Sequence, residues 1–180
     1  MAIQRFGWIA ALLVVIWAVE LVNLATGYAL NRWFGLLPRS FGGLDGILFM
    51  PLLHGSISHA AANTVPLAVL GGLLAATAQR VALSASAMIV GLGGLGVWVF
   101  GKTAIHVGAS GLIFGWFGFL VARGWVERRP IPLMVAAVVV IAYGTMVWGV
   151  LPGQPGVSWE GHLLGAIAGI FAAFVLRQTD

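Results

Sequence analysis

The chain has 180 residues, of which 61% are hydrophobic and only 8% charged, where a soluble domain carries about a quarter charged. Five acids and nine Lys/Arg cannot clothe a water-facing surface, so lipid is the expected solvent around most of the chain. The lack of cysteine excludes disulfides and thiolate metal sites, and a charge resting on so few residues gives no case for a nucleic-acid partner.

Apolar runs fall at 7–26, 58–78, 81–101, 108–122, 131–150 and 160–176, each bounded by charge or by Pro/Gly clusters. Most approach the roughly 20 residues that cross hydrocarbon as a helix. None alternates as the strands of a membrane barrel do. Residues 1–180 therefore read as a single all-α membrane domain, a compact bundle of six transmembrane helices. Met1 to Arg5 is too short, and the run after it too long, for a cleavable signal. The long connection is 27–57, and long ordered loops usually have a task. With the amino terminus inside, Arg5, Arg80, Arg123, Arg128, Arg129 and Arg177 lie on the cytoplasmic side, against Arg32, Arg39 and Lys102 outside. This bias puts both termini in the cytoplasm.

In that orientation the second, fourth and sixth helices run inward, and polar residues stand at their starts. HGSISHAAAN opens the second with His54, His59 and Asn63; GASG opens the fourth with Ser110; EGHLLGAIAG opens the sixth with His162. Residues 109–122 make about 21 Å of helix, against hydrocarbon of about 30 Å. With Arg123 as the cytoplasmic end, Ser110 lies roughly 10 Å below the outer surface, at the bottom of a water-filled dip.

Two explanations of Ser110 stand side by side. Gly111 and Gly115, like Gly161, Gly165 and Gly169, leave bare faces on which helices pack closely, so Ser110 is a small packing residue. Alternatively His162 takes its proton and makes it a nucleophile, beside the unpaired N–H groups of a helix start. His59 and Asn63, at i and i+4, share a face and could donate to an oxyanion or serve as polar glue. His54 and His59 are i, i+5 with no acid or cysteine to complete a set, so no metal is expected. His106, in the loop before the fourth helix, reads as exposed and has no role.

H-x4-H-x3-N, then G-A-S-G, then G-H-x2-G-x3-G, in this order on alternate helices, resembles the rhomboid family of intramembrane serine proteases over essentially the whole chain. The resemblance implies a Ser110–His162 dyad without a triad acid and without cofactor. His59 and Asn63 would join backbone amides as oxyanion donors, and His54 would tie the first loop to the second helix. Gly108, Gly111, Phe114 and Gly165 would be structural neighbours of the site. Substrates would be transmembrane proteins in a bilayer, here an inner membrane, cut from a cleft that opens outward. The fifth helix and LPGQPGVSWE (151–160) would form the gate and cap.

Two departures from the family pattern stand out. A Trp-Arg pair common in the first loop is replaced by Asp45 and Gly46, leaving Arg32 or Arg39 to pair with Asp45 or Glu20. Phe114 occupies a position that is commonly Tyr, so it can stack on His162 without a phenolic hydrogen bond. Glu160, two residues before His162, is on the wrong face for a triad and suits the positive end of its helix. Glu20, an acid in the first span, is expected to contact the first loop. A catalytically silent relative that binds transmembrane helices is the alternative, and a small transporter a third reading. The lack of acids and repeated halves argues against transport.

Overall fold

The computed structural model describes residues 2–154 and 156–178. Pro155, in the expected cap, lies outside them. Six long helices carry the chain: α1 (Ala2–Ala25), α2 (Ile57–Thr77), α3 (Ala82–Phe100), α4 (Ser110–Glu127), α5 (Pro130–Val150) and α6 (Trp159–Val175). Two are irregular: a π turn at Ile89–Gly93 interrupts α3, and α5 tightens to 3₁₀ over Gly144–Val150. Among the described residues extended pairing is limited to one antiparallel bridge, Leu36 with His106.

Four of these helices, α1, α2, α3 and α5, are long and apolar enough to cross a membrane. Their outer faces explain the composition, with Val14, Val65, Leu83 and Ile141 all exposed, Ile141 at 86%. In water such a surface would not persist; against acyl chains it costs nothing. The α4 helix falls short of that apolar standard because protein, not lipid, surrounds it. It buries Leu112, Phe114, Trp116, Phe119 and Leu120, together with Arg123 and Glu127.

The sequence reading ends the fourth helix near Ala122 and takes Arg123 as its membrane-edge marker. The helix instead continues to Glu127, and Arg123 is buried, its Nε donating to Glu127 Oε1 at 2.8 Å one turn on. An i, i+4 pair of this kind hides the charge inside the bundle. Arg123 therefore stands about 6 Å inside the helix end and does not mark the membrane edge.

Glycine sets how closely α4 and α6 approach. A Cβ on Gly118 would sit 2.6 Å from the Ala166 carbonyl oxygen. One on Gly165 would collide with the Gly111 carbonyl, and one on Gly169 with that of Gly115. These two helices touch backbone to backbone. A second seam joins α1, α2 and α4 through Gly71, against which Ile9 and Trp116 pack.

The long loop carries short helices at Ala29–Phe34 and Gly46–Phe49 and is pinned down at several points. Arg39 pairs with neither Asp45 nor Glu20. Its guanidinium donates to the carbonyls of Val99 (3.1 Å) and Gly101 (2.7 Å) and to Thr103 Oγ1 (2.9 Å), closing off the end of α3. These carbonyls are helix-end acceptors, which a fork of five donors satisfies well. Asp45 accepts from Gly46 N at the start of its short helix. Glu20 accepts from the Tyr28 hydroxyl at 3.1 Å, a contact to the first loop as expected.

Candidate active site

Ser110 is the first residue of α4, and Gly108 sets how the chain arrives there. Gly108 has φ +123°, outside ordinary L-residue space. A Cβ on it would stand 2.8 Å from the His59 ring. Only glycine lets the backbone pass over that imidazole before turning into the helix. The first intrahelical bond is Ile113 N to Ala109 O (3.0 Å), so the N–H groups of Ser110, Gly111 and Leu112 have no partner within the helix. They form a positive concavity beside the hydroxyl.

His162 lies in the first turns of α6, whose start is capped by Ser158, accepting from Gly161 N at 3.2 Å. The Ser110 hydroxyl is 2.9 Å from His162 Nε2. On the other side of the ring, Nδ1 is 2.8 Å from the Gly149 carbonyl oxygen. A carbonyl only accepts, so Nδ1 carries the proton and Nε2 offers its lone pair to the Ser110 O–H. Phe114 lies flat on the imidazole, with centroids 4.1 Å apart and planes 8° from parallel. The ring is thus fixed in tautomer by Gly149 and in orientation by Phe114.

Ser110, His162, His59 and Asn63 line one cavity of about 830 Å³. Tyr143 and Met146 of α5 also face it. His54 stands behind this wall, fully buried. Its Nε2 is 3.0 Å from Asn63 Nδ2 and 3.5 Å from Ala109 N. Its carbonyl accepts from Asn23 (3.2 Å) and Asn31 (2.9 Å), joining α1 and the first loop to the base of α2. Gly111 and Gly165 meet behind the Ser110–His162 pair.

Burial, with His59 against its ring at 5.0 Å, pushes the His54 imidazole down to about 4. A ring with a pKa near 6.5 when exposed then takes up its proton on unfolding before it does in the fold. Below about pH 6.5 the unfolded chain binds more protons, so stability falls as pH drops towards 4, by at most about 3 kcal/mol. Thermal unfolding in detergent between pH 7 and 4.5 measures this. The wild type is expected to lose stability across that window, and His54→Gln to lose distinctly less. Parallel profiles would exclude His54 as the titrating group.

Two contributors have no counterpart in the sequence reading. His106 is buried rather than exposed. Its Nε2 faces the Lys102 carbonyl (3.0 Å) and its Nδ1 the Ser158 hydroxyl (2.7 Å). With Nε2–H donated to the carbonyl, Nδ1 accepts from Ser158, whose oxygen caps α6. His106 thereby ties the loop before α4 to the helix that bears His162. The other is the Gly149 carbonyl, a backbone group that residue identity does not advertise. Glu160 is in the first turn of α6, buried, and not bonded to His162.

Apolar outer faces around a polar, internally bonded centre define an all-helical membrane protein. The Rhomboid domain family matches residues 42–179, and the chain belongs to that family. It is similar to uncharacterized proteins of Mycobacterium bovis and Mycobacterium tuberculosis. Each is 41% identical over 175 residues, covering 92% of this chain and 72% of the relative. An uncharacterized protein of Mycobacterium leprae is 39% identical over 182 residues, covering 96% and 71%.

Proposed function

We propose that this protein is an intramembrane serine endopeptidase that hydrolyses peptide bonds in or beside transmembrane segments of other membrane proteins. The observation that carries the reading is the oriented Ser110–His162 pair at 2.9 Å, with Nδ1 committed to Gly149. His162 removes the Ser110 proton as the hydroxyl oxygen attacks the scissile carbonyl. The tetrahedral oxyanion is held by the first-turn N–H groups of α4, with His59 and Asn63 as side-chain donors. Protonated His162 then delivers its proton to the leaving amine. Water, activated by the same imidazole, hydrolyses the acyl-enzyme.

In this reading all six helices span an inner membrane, both termini are cytoplasmic, and the cavity opens towards the outer face. A substrate helix would enter past α5, whose 3₁₀ end carries the Gly149 carbonyl next to the base. Gate movement and base orientation would then be linked through one segment. A silent, helix-binding relative would need neither a nucleophile nor a base held in one tautomer.

Co-expression with a panel of tagged single-pass membrane proteins tests the proposal. At least one is expected to be cut by the wild type and left intact by Ser110→Ala at equal protein level. Cleavage that survives Ser110→Ala would overturn it.

A further inference from the structure

His106 stands four residues before Ser110 and lines the same cavity, yet the reaction proposed for that cavity gives it no task. It is 4% exposed, and its backbone is fixed from outside its own loop. His106 N donates to the Leu36 carbonyl at 2.8 Å, and Leu36 N donates back to the His106 carbonyl at 3.0 Å. Leu36 is fully buried, in a cluster with Met50 of the first loop and Val97 of α3, against which Leu164 of α6 packs. Two residues on, Gly108 N donates to the Met50 carbonyl at 2.9 Å. The chain that delivers Ser110 is thus anchored before α4 begins.

The His106 side chain reaches a different helix. With Nε2–H donated to the Lys102 carbonyl (3.0 Å), Nδ1 accepts from the Ser158 hydroxyl at 2.7 Å. The hydroxyl proton is thereby committed to His106, and the oxygen's lone pairs are left for Gly161 N, 3.2 Å away. The Ser158 carbonyl accepts from His162 N, also at 3.2 Å. Ser158 therefore holds two N–H groups at the start of α6, one of them belonging to His162. On its other side Ser158 joins an exposed segment, where a Cβ on Gly153 or Gly156 would meet nothing within 4 Å. The buried support for Ser158 comes through His106.

We propose that His106 is a positioning residue for His162: through the Ser158 hydroxyl it holds the first turn of α6 against the loop that delivers Ser110. This rests on the proteolytic reading of the Ser110–His162 pair and adds a residue that acts on the chemistry only through another. A shift of about 1 Å between reacting groups costs on the order of 10²-fold in rate, so loss of one such support is expected to cost about tenfold.

The rate at which a fluorophosphonate labels Ser110 in the detergent-purified full chain tests this without a substrate. His106→Phe fills the buried slot without an acceptor, and Ser158→Ala removes the donor. Each is expected to label about tenfold more slowly, and the double variant no more slowly than either, because both remove one bond. His106→Asn sets an amide oxygen where Nδ1 stood and is expected to recover most of the rate. Thr103→Val is the control: it removes an Arg39 contact from the same loop and is expected to label like the wild type. Losses that multiply in the double variant would overturn the proposal, as would wild-type labelling of His106→Phe or an equal loss in Thr103→Val. If His106→Phe elutes as a misfolded species, Ser158→Ala against Ser158→Thr carries the test. The threonine hydroxyl is expected to restore the rate, and equal rates in the two would overturn the proposal. A wild type that takes no label counts against the proteolytic reading itself, an outcome distinct from a labelled wild type beside an unaffected His106→Phe.

Discussion

His162→Gln is expected to lower cleavage of a transmembrane reporter by at least about 10⁴-fold, since removal of the base or the nucleophile of a serine protease costs on the order of 10⁶. Glutamine fills similar space and can still donate from its amide to the Gly149 carbonyl, so α6 keeps its seat. What it lacks is an acceptor able to take a full proton from Ser110, 2.9 Å away in the wild type. The Ser110 hydroxyl is then an alcohol of ordinary reactivity beside unchanged first-turn N–H groups of α4. A fluorophosphonate reagent should label Ser110 in the wild type and fail to label it in His162→Gln, while the melting temperature changes little. Labelling of His162→Gln at the wild-type rate would mean that Ser110 is activated by something else. An unlabelled but unfolded variant is distinguishable by its melting curve, and His162→Asn then serves the same purpose.

The parts of this architecture that sequence conveys are those written in side-chain type and period. Unbroken apolar runs marked all six long helices to within a few residues, and HGSISHAAAN, GASG and EGHLLGAIAG marked the helix starts. Ser110, His59, Asn63 and His162 are brought to one cavity because three glycine-rich or capped helix starts stand at one end of the bundle. What eluded the sequence lies in backbone groups and in compensated charge. Arg123 looked like a membrane-edge arginine because its partner, Glu127, sits four residues on, beyond the expected helix end. Arg39 looked like half of an ion pair, yet its acceptors are carbonyls at a helix terminus, which every residue possesses. His106 looked exposed since nothing in the local sequence indicates that Ser158, 52 residues away, stands over it. The Gly149 carbonyl is the same kind of case: the acceptor that fixes the His162 imidazole belongs to no particular side chain.

The second large effect concerns stability and reaches the chemistry through packing. Gly165→Ala adds one methyl group, which in a lipid-facing helix would be neutral or favourable by up to about 1 kcal/mol. At Gly165 that carbon has no room, because the Gly111 carbonyl occupies its position and Gly111 C lies 2.9 Å away. The obstacle is backbone, so it cannot rotate aside; α4 and α6 must separate. Overpacking of yielding cores costs about 1 to 3 kcal/mol, and here the expected loss is at the upper end or beyond. The same separation draws His162 away from Ser110, since Gly111 directly follows Ser110 and Gly165 lies three residues after His162. A displacement of about 1 Å is enough to cost on the order of 10²-fold in rate. Gly72→Ala is the matched comparison, because a Cβ there meets nothing within 4 Å. Thermal unfolding and reporter cleavage should therefore split the pair: Gly72→Ala near wild type in both, Gly165→Ala depressed in both. If Gly165→Ala folds and cuts like Gly72→Ala, close backbone contact is not what holds Ser110 and His162 together.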